Sequence, residues 1–205
     1  MTTEGANAGT LDLVGGALAL DFANTAGGRG TRFAVDYLAG PPDLVAWANH
    51  ARLIDMPAGH GPQSPEIDRA SGQALLATAK RLREAIYEAC ADIADGKPAS
   101  SVALSTIGNF AAGALAAAQL TPASEGNFTL SFDPSTVEKA ILGPVAISAM
   151  DLLRTGPLDR LKQCPGEDCG WLFLDGSKNG SRRWCDMATC GNRHKGHRHR
   201  AKIHG

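Results

Sequence analysis

Cys164, Cys169, Cys185 and Cys190 form two pairs of identical internal spacing, C-x4-C, with 15 residues between the pairs. Each pair can sit on one tight turn, and two such turns can offer four thiolates to a single ion. Zn²⁺ takes four sulfur ligands in a closed tetrahedron. The stretch Cys164-Pro165-Gly166-Glu167-Asp168-Cys169-Gly170 is rich in turn-forming residues. The same cysteines could instead make two disulfides or carry redox chemistry. Disulfides belong to oxidising compartments, and residues 1–7 show no basic and apolar leader pattern. Redox use favours C-x-x-C, which the chain lacks. The reading is one structural zinc on Cys164, Cys169, Cys185 and Cys190 in a cytoplasmic protein. Four thiolates leave no position for water, so hydrolytic metal catalysis is not expected. His194, His197 and His199 could compete as ligands but are treated only as backups. Cys90 falls on an apolar helical face with Leu75, Ala79, Leu82, Ile86 and Ile93, and reads as a small buried hydrophobe.

Charge is divided unevenly along the chain. Residues 160–205 hold ten Lys/Arg against four Asp/Glu, and residues 1–159 hold ten against seventeen. Metal and positive charge together point to nucleic acid at the C-terminal end of an acidic body. A solvated tail, or one docked on the acidic body, is the plainer alternative. Arg182, Arg183, Arg193, Lys195, Arg198, Arg200 and Lys202 are the candidate contacts, with Lys178 beside an Asn179-Gly180 turn. Arginine suits phosphate and guanine. Arg193 has a competing role in bracing the metal turns. Trp171, Phe173 and Trp184 could stack on bases, but a mini-core is favoured, because the segment has few other large apolar residues.

These residues carry a family resemblance. Cys169-Gly170-Trp171-Leu172-Phe173-Leu174-Asp175, Ser177-Lys178-Asn179-Gly180-Ser181-Arg182-Arg183-Trp184-Cys185-Asp186-Met187 and Cys190-Gly191-Asn192-Arg193 resemble the CGNR zinc finger, whose name is spelled by the last four. Leu13 to Thr25 resembles the opening of the ABATE domain, which accompanies that finger in bacterial proteins. The resemblance implies a stress-response transcription regulator with a DNA-binding zinc finger. An RNA-binding role has also been suggested for the family.

The elements that must position these groups follow from periodicity. The pattern predicts a short strand over 10–14, a helix over 17–26 and a helix from Pro41 to about Leu53. The strongest helix is expected from about Pro65, capped by Ser64, to Ala94. A small-residue helix over about 101–120 follows, then a half-buried strand over 127–132. A central helix from Thr136 to Arg154 carries Gly143-Pro144 as a potential kink. The fold class is α+β: a mainly helical N-terminal domain with a small β-sheet over 1–157, then a treble-clef or ribbon-like zinc finger with a basic tail over 158–205.

Asp21, Asn24 and Thr25 lie on an otherwise apolar helix. They could line a pocket for a small-molecule effector, or satisfy backbone groups at the Gly15-Gly16 turn, which is favoured. No set of nucleophile, base and orienting group is visible, so an enzyme is not expected. The uncharged stretch 98–124 holds too few large apolar residues to span a membrane. Three classes remain: a regulator binding double-stranded DNA, with the large domain sensing or forming a homo-oligomer; an RNA-binding protein; or a zinc-stabilised module for protein interaction.

Overall fold

The computed structural model describes residues 7–54, 69–123, 126–166 and 168–196. The fold is mainly helical, with three two-stranded antiparallel ladders. Helices α1 (Leu18–Ala23), α2 (Pro41–His50), α3 (Arg69–Ala94), α4 (Ser101–Ala117) and α5 (Val137–Thr155) build the body. Strands β1 (Ala26–Gly27) and β2 (Val35–Asp36) pair beside α1. Strands β3 (Gln119–Pro122) and β4 (Phe128–Ser131) form a ribbon between α4 and α5. Strands β5 (Leu161–Gln163) and β6 (Leu172–Leu174) frame the first cysteine pair.

Helix α3 is amphipathic, and Leu76, Ala79, Leu82, Ile86, Ala89 and Cys90 face inward. Burial pushes the Cys90 thiol up to about 12, as befits a small core residue. Helix α5 is buried on several sides by Ala140, Ile141, Leu142, Val145, Ala146, Ala149 and Leu152, which makes it the central helix expected from its sequence. Pro144 lies inside α5 without ending it. The Phe132 ring occupies the place a side chain at Gly143 would take, 2.6 Å from a built Cβ. Helix α4 turns Ala103, Ile107, Ala111 and Ala114 inward, so small residues set its packing. Phe22 meets the fully buried Trp47 with ring centroids 4.8 Å apart. Pro41 and Pro42 open α2, and Asp43 accepts the Gly40 N–H at 2.8 Å.

Several sequence expectations change. The helix expected over 17–26 ends at Ala23, because Ala26–Gly27 pairs with β2, and the one expected to about Leu53 ends at His50. Residues 10–14 form no strand and pair with no strand among the described residues; Asn7 instead caps a short 3₁₀ turn over Ala8–Thr10. Helix α4 stops at Ala117 rather than 120, since Gln119–Pro122 is drawn into pairing with β4. The alternation in β4 predicts a half-buried strand, yet Phe128 is 64% exposed because the ribbon has only two strands and no layer over its apolar side. The expected cap at Ser64 and start near Pro65 lie outside the described residues.

The C-terminal segment does not hang from the body. Leu161 and Leu172 belong to the same buried cluster as α1, α3 and α5. Asn24 of the body bonds the Leu172 backbone twice: its Nδ2 donates to the carbonyl at 2.9 Å and its Oδ1 accepts the N–H at 2.8 Å. The Gly28 N–H donates to Cys169 O at 2.7 Å, and the Leu174 N–H to Gly15 O at 2.8 Å. Among the described residues, no helix is long and apolar enough to cross a membrane.

Candidate metal centre

The first cysteine turn is closed by strand pairing. The Cys164 N–H donates to Trp171 O at 2.8 Å, and the Cys169 N–H to Gly166 O at 3.0 Å. Gly170, at φ +66°, turns the chain into β6. The second turn is a π-helical loop over Met187–Gly191, continued helically over 192–196. Asp186 caps it, accepting from Thr189 N at 2.7 Å and Thr189 Oγ1 at 2.9 Å.

These two turns bring all four sulfurs within 4.8 Å of one another, and all four cysteines are buried. Cys169 and Cys185 sulfurs are 3.5 Å apart, and Cys185 and Cys190 sulfurs 3.6 Å. A disulfide requires about 2.05 Å. A tetrahedron with Zn–S bonds of about 2.3 Å has S···S edges of roughly 3.8 Å. The donor set therefore fits one closed zinc site on Cys164, Cys169, Cys185 and Cys190. Four thiols this close cannot all ionise unaided. Hydrogen bonds from its three partners pull the Cys164 thiol down, and Cys164 in turn pushes Cys169 and Cys185 up. A divalent cation removes that conflict and holds all four as thiolates. Zinc would supply cross-linking here, with no open position for chemistry.

The surroundings explain the Cys190-Gly191-Asn192-Arg193 run. A Cβ at Gly191 would stand 2.7 Å from Met187 Sδ, so Met187 would have to move. Asn192 Nδ2 donates to Ala188 O at 3.1 Å, satisfying a carbonyl of the loop. Arg193 forms an ion pair with Asp168, tying the second cysteine turn to the first. Burial alone would raise the Asp168 carboxyl, but Arg193 outweighs it and holds it low. Arg182 also turns inward. Its Nε donates to Trp184 O at 3.0 Å and its Nη2 to Cys185 O, and its guanidinium lies 4.5 Å from the Phe173 ring centre. Two of the predicted nucleic-acid contacts, Arg182 and Arg193, are thus committed to bracing the metal turns. The sequence foresaw this role for Arg193 and not for Arg182.

Lys178, Arg183 and Lys195 are exposed, and no ion pair joins them to other described residues. Lys178 sits on the turn closed by the Gly180 N–H to Ser177 O bond at 3.1 Å. Arg198, Arg200 and Lys202, like His197 and His199, lie outside the described residues. His194 stacks on Trp184 with centroids 4.7 Å apart and does not join the sulfur cluster. Phe173 is fully buried against the cysteines, with Trp171 and Trp184 packed beside it, so these aromatics form a mini-core.

Sequence reasoning missed the node that shapes the loop between the cysteine pairs. Asp175, 2% exposed, accepts from Lys162 Nζ at 2.6 Å, Ser177 N at 2.9 Å and Arg182 N at 2.9 Å. Lys162 also donates to Gly180 O at 2.6 Å and Arg182 O at 2.9 Å. Lys162 holds the Asp175 carboxyl far below the usual range, with Ser177 adding to the effect. Asp175-Gly176-Ser177 does signal a turn, but nothing local names Lys162 as its partner.

Asp21, Asn24 and Thr25 each bond to backbone groups. Asp21 Oδ1 accepts the Gly15 N–H at 2.8 Å, as the turn reading anticipated. Burial raises its carboxyl to about 6, against the opposing effects of that bond and of His50. Asn24 holds Leu172, and Thr25 Oγ1 donates to Phe22 O at 2.7 Å. All three side chains serve the backbone, and Asn24 and Thr25 are buried.

Residues 16–156 match the family model ABATE, described as "Putative stress-induced transcription regulator". The chain belongs to the ABATE family. Residues 160–202 match the CGNR zinc finger, so the four-cysteine site lies within a recognised metal-binding unit. Neither description is that of an enzyme family. No curated protein matches the chain. The two matched segments meet near Gly156-Pro157, yet the buried cluster of this ABATE-family chain runs across that join.

Proposed function

We propose that this ABATE-family protein is a cytoplasmic transcription regulator that binds double-stranded DNA through its zinc finger. Residues 158–205 make the contact, and residues 1–157 sense a signal or oligomerise. The observation that carries the reading is a division of labour among the finger's cations. Arg182 and Arg193 are spent inside, holding the cysteine turns together. Lys178, Arg183 and Lys195 are exposed around the same rigid centre, and Arg198, Arg200 and Lys202 continue the basic run beyond the described residues. Cations whose backbone is held beside a metal site suit a phosphate backbone, because the chain carrying them needs no ordering on binding. The seventeen acidic residues of 1–159 oppose non-specific wrapping of the body by the same polyanion. The zinc is structural, and no catalytic step is assigned to either part.

The test is equilibrium binding of the zinc-loaded protein to duplex DNA, single-stranded DNA and RNA of one sequence across a salt series. Duplex binding should be strongest, with a log–log slope near −0.9 for each phosphate contacted. Preference for RNA or single strands would replace this reading with the RNA-binding one. No binding to any of the three would make the finger a protein-interaction module.

A further inference from the structure

The β3–β4 ribbon has two unlike sides. Leu120 lies opposite Leu130, and Pro122 opposite Phe128. Directly opposed residues project to one side of a ladder, so these four share a face, while Gln119, Thr121, Thr129 and Ser131 share the other. The apolar face is the uncovered one: Leu120 is 68% exposed and Phe128 64%. Phe128, Thr129 and Leu130 line one wall of an open groove of about 650 Å³. The facing wall is the outer side of α5, where Ile147, Ser148 and Asp151 stand at helical spacing. The groove also reaches Gly156 and Pro157 and the Leu174 side chain of β6. It therefore touches the body, the join and the cysteine-rich segment together.

Asp151 is the one charged residue among those lining the groove. Its partner on the same helix, Arg154, is 3.6 Å away, and both side chains are more than half exposed. Such a pair is screened and weak, so a ligand cation can share or replace it at little cost. The acid excess of residues 1–159 adds long-range attraction for positive charge. The groove is open to solvent along much of its length, and its lining combines apolar walls with a few polar groups.

We infer that this groove is an effector site for an amphipathic organic cation, with its flat apolar body against Phe128, Leu130 and Ile147 and its ammonium group at Asp151. The inference rests on the sensing half of the proposed function and gives it a place and a ligand class. A ligand there bears on α5, the ribbon and Leu174 at once, which is how occupancy would reach the finger.

Three probes with one skeleton test it on the full zinc-loaded chain by titration calorimetry: 1-naphthylmethylamine, 1-naphthalenemethanol and 1-naphthoate. The amine should bind about five- to tenfold more tightly than the alcohol, the size a half-exposed ion pair with a ring contact supplies. The naphthoate should bind most weakly. Asp151→Asn should bring the amine to the level of the alcohol. Phe128→Ala should weaken both, and since this ring is mostly exposed the fold should stay intact by circular dichroism. Equal affinity for the three probes, no affinity for any, or affinities that neither substitution changes would overturn the site. So would a concentration-dependent dimer that Phe128→Ala converts to monomer, because the apolar face would then belong to a second copy. Duplex DNA binding is measured without probe, so loss of one reading is distinguishable from loss of the other.

Discussion

The helical body and the cysteine-rich segment hold together by different means. In the body, Phe22, Trp47, Leu82, Ile86 and Ile141 are fully buried against one another. The body also buries Arg83, which bridges to Asp36 at 2.6 Å while Lys80 reaches the same carboxylate at 2.8 Å. Beyond Leu174 the chain has few large apolar side chains left to bury. There a buried carboxylate, Asp175, and two inward arginines do the organising around four sulfurs. A segment this short cannot bury enough apolar area to offset its chain entropy, so a metal and charge-assisted hydrogen bonds must substitute. Trimming one apolar side chain of the body loses its burial and leaves a cavity. Removing one partner of a charged node instead strands another polar group.

Metal removal should divide the two regions most sharply. Cys185→Ser should drop zinc below one equivalent and unfold the finger while the body stays helical by circular dichroism. Zinc contributes on the order of 10 kcal/mol to isolated finger peptides. Zinc retained at full stoichiometry would refute the four-cysteine assignment. The next effect belongs to the seam. Asn24→Ala leaves the Leu172 N–H and carbonyl without their partners and should cost roughly 2–4 kcal/mol in urea unfolding. A body that melts unchanged in this variant would show the two regions to be energetically separate.

Acid should separate them more finely. Burial alone would raise Asp36, but hydrogen bonds from Arg83 and Lys80 overcome it and hold the carboxyl down, from 3.8 to about 2. A depressed carboxylate stabilises the fold fully above its unfolded value and loses that contribution as pH falls through its folded value. Asp36→Asn should therefore flatten the decline in body stability between about pH 4 and 2. An acid limb unchanged by the substitution would remove Asp36 from the account. The smallest and most selective effect concerns two neighbours. Arg183→Ala should lower the duplex salt slope by about 1 and leave zinc affinity unchanged. Arg182→Ala should weaken zinc retention instead, because it removes the donor to Trp184 O and Cys185 O. The same phenotype for both would erase the distinction between brace and contact.

What the sequence made legible was whatever a short window contains. The C-x4-C spacing announced the metal site, the 3.6-residue rhythm through Leu82 and Ile86 announced α3, and the nearby glycine pair announced Asp21 as a partner for the Gly15 turn. What it hid depends on residues far apart in the chain. Asn24 gave no sign that it would bond Leu172, 148 positions away. Arg182 and Arg183 look alike in sequence, and only the fold turns one inward. Strand β3 lay hidden in a run of alanines that reads as more helix, because pairing with β4 outweighs local propensity there.

The bonds from Asn24 to Leu172 and from Gly28 to Cys169 bear on how the molecule tumbles. A finger on a slack tether reorients by itself within nanoseconds; one stitched to its body at both edges shares the body's rotational correlation time. The acid excess of residues 1–159 would then repel a polyanion from the side of the body. On the proposed DNA-binding reading, encounter would be productive only over the narrow solid angle in which the basic rim leads, and the stitching would act as an orientational filter on collision before any contact is made.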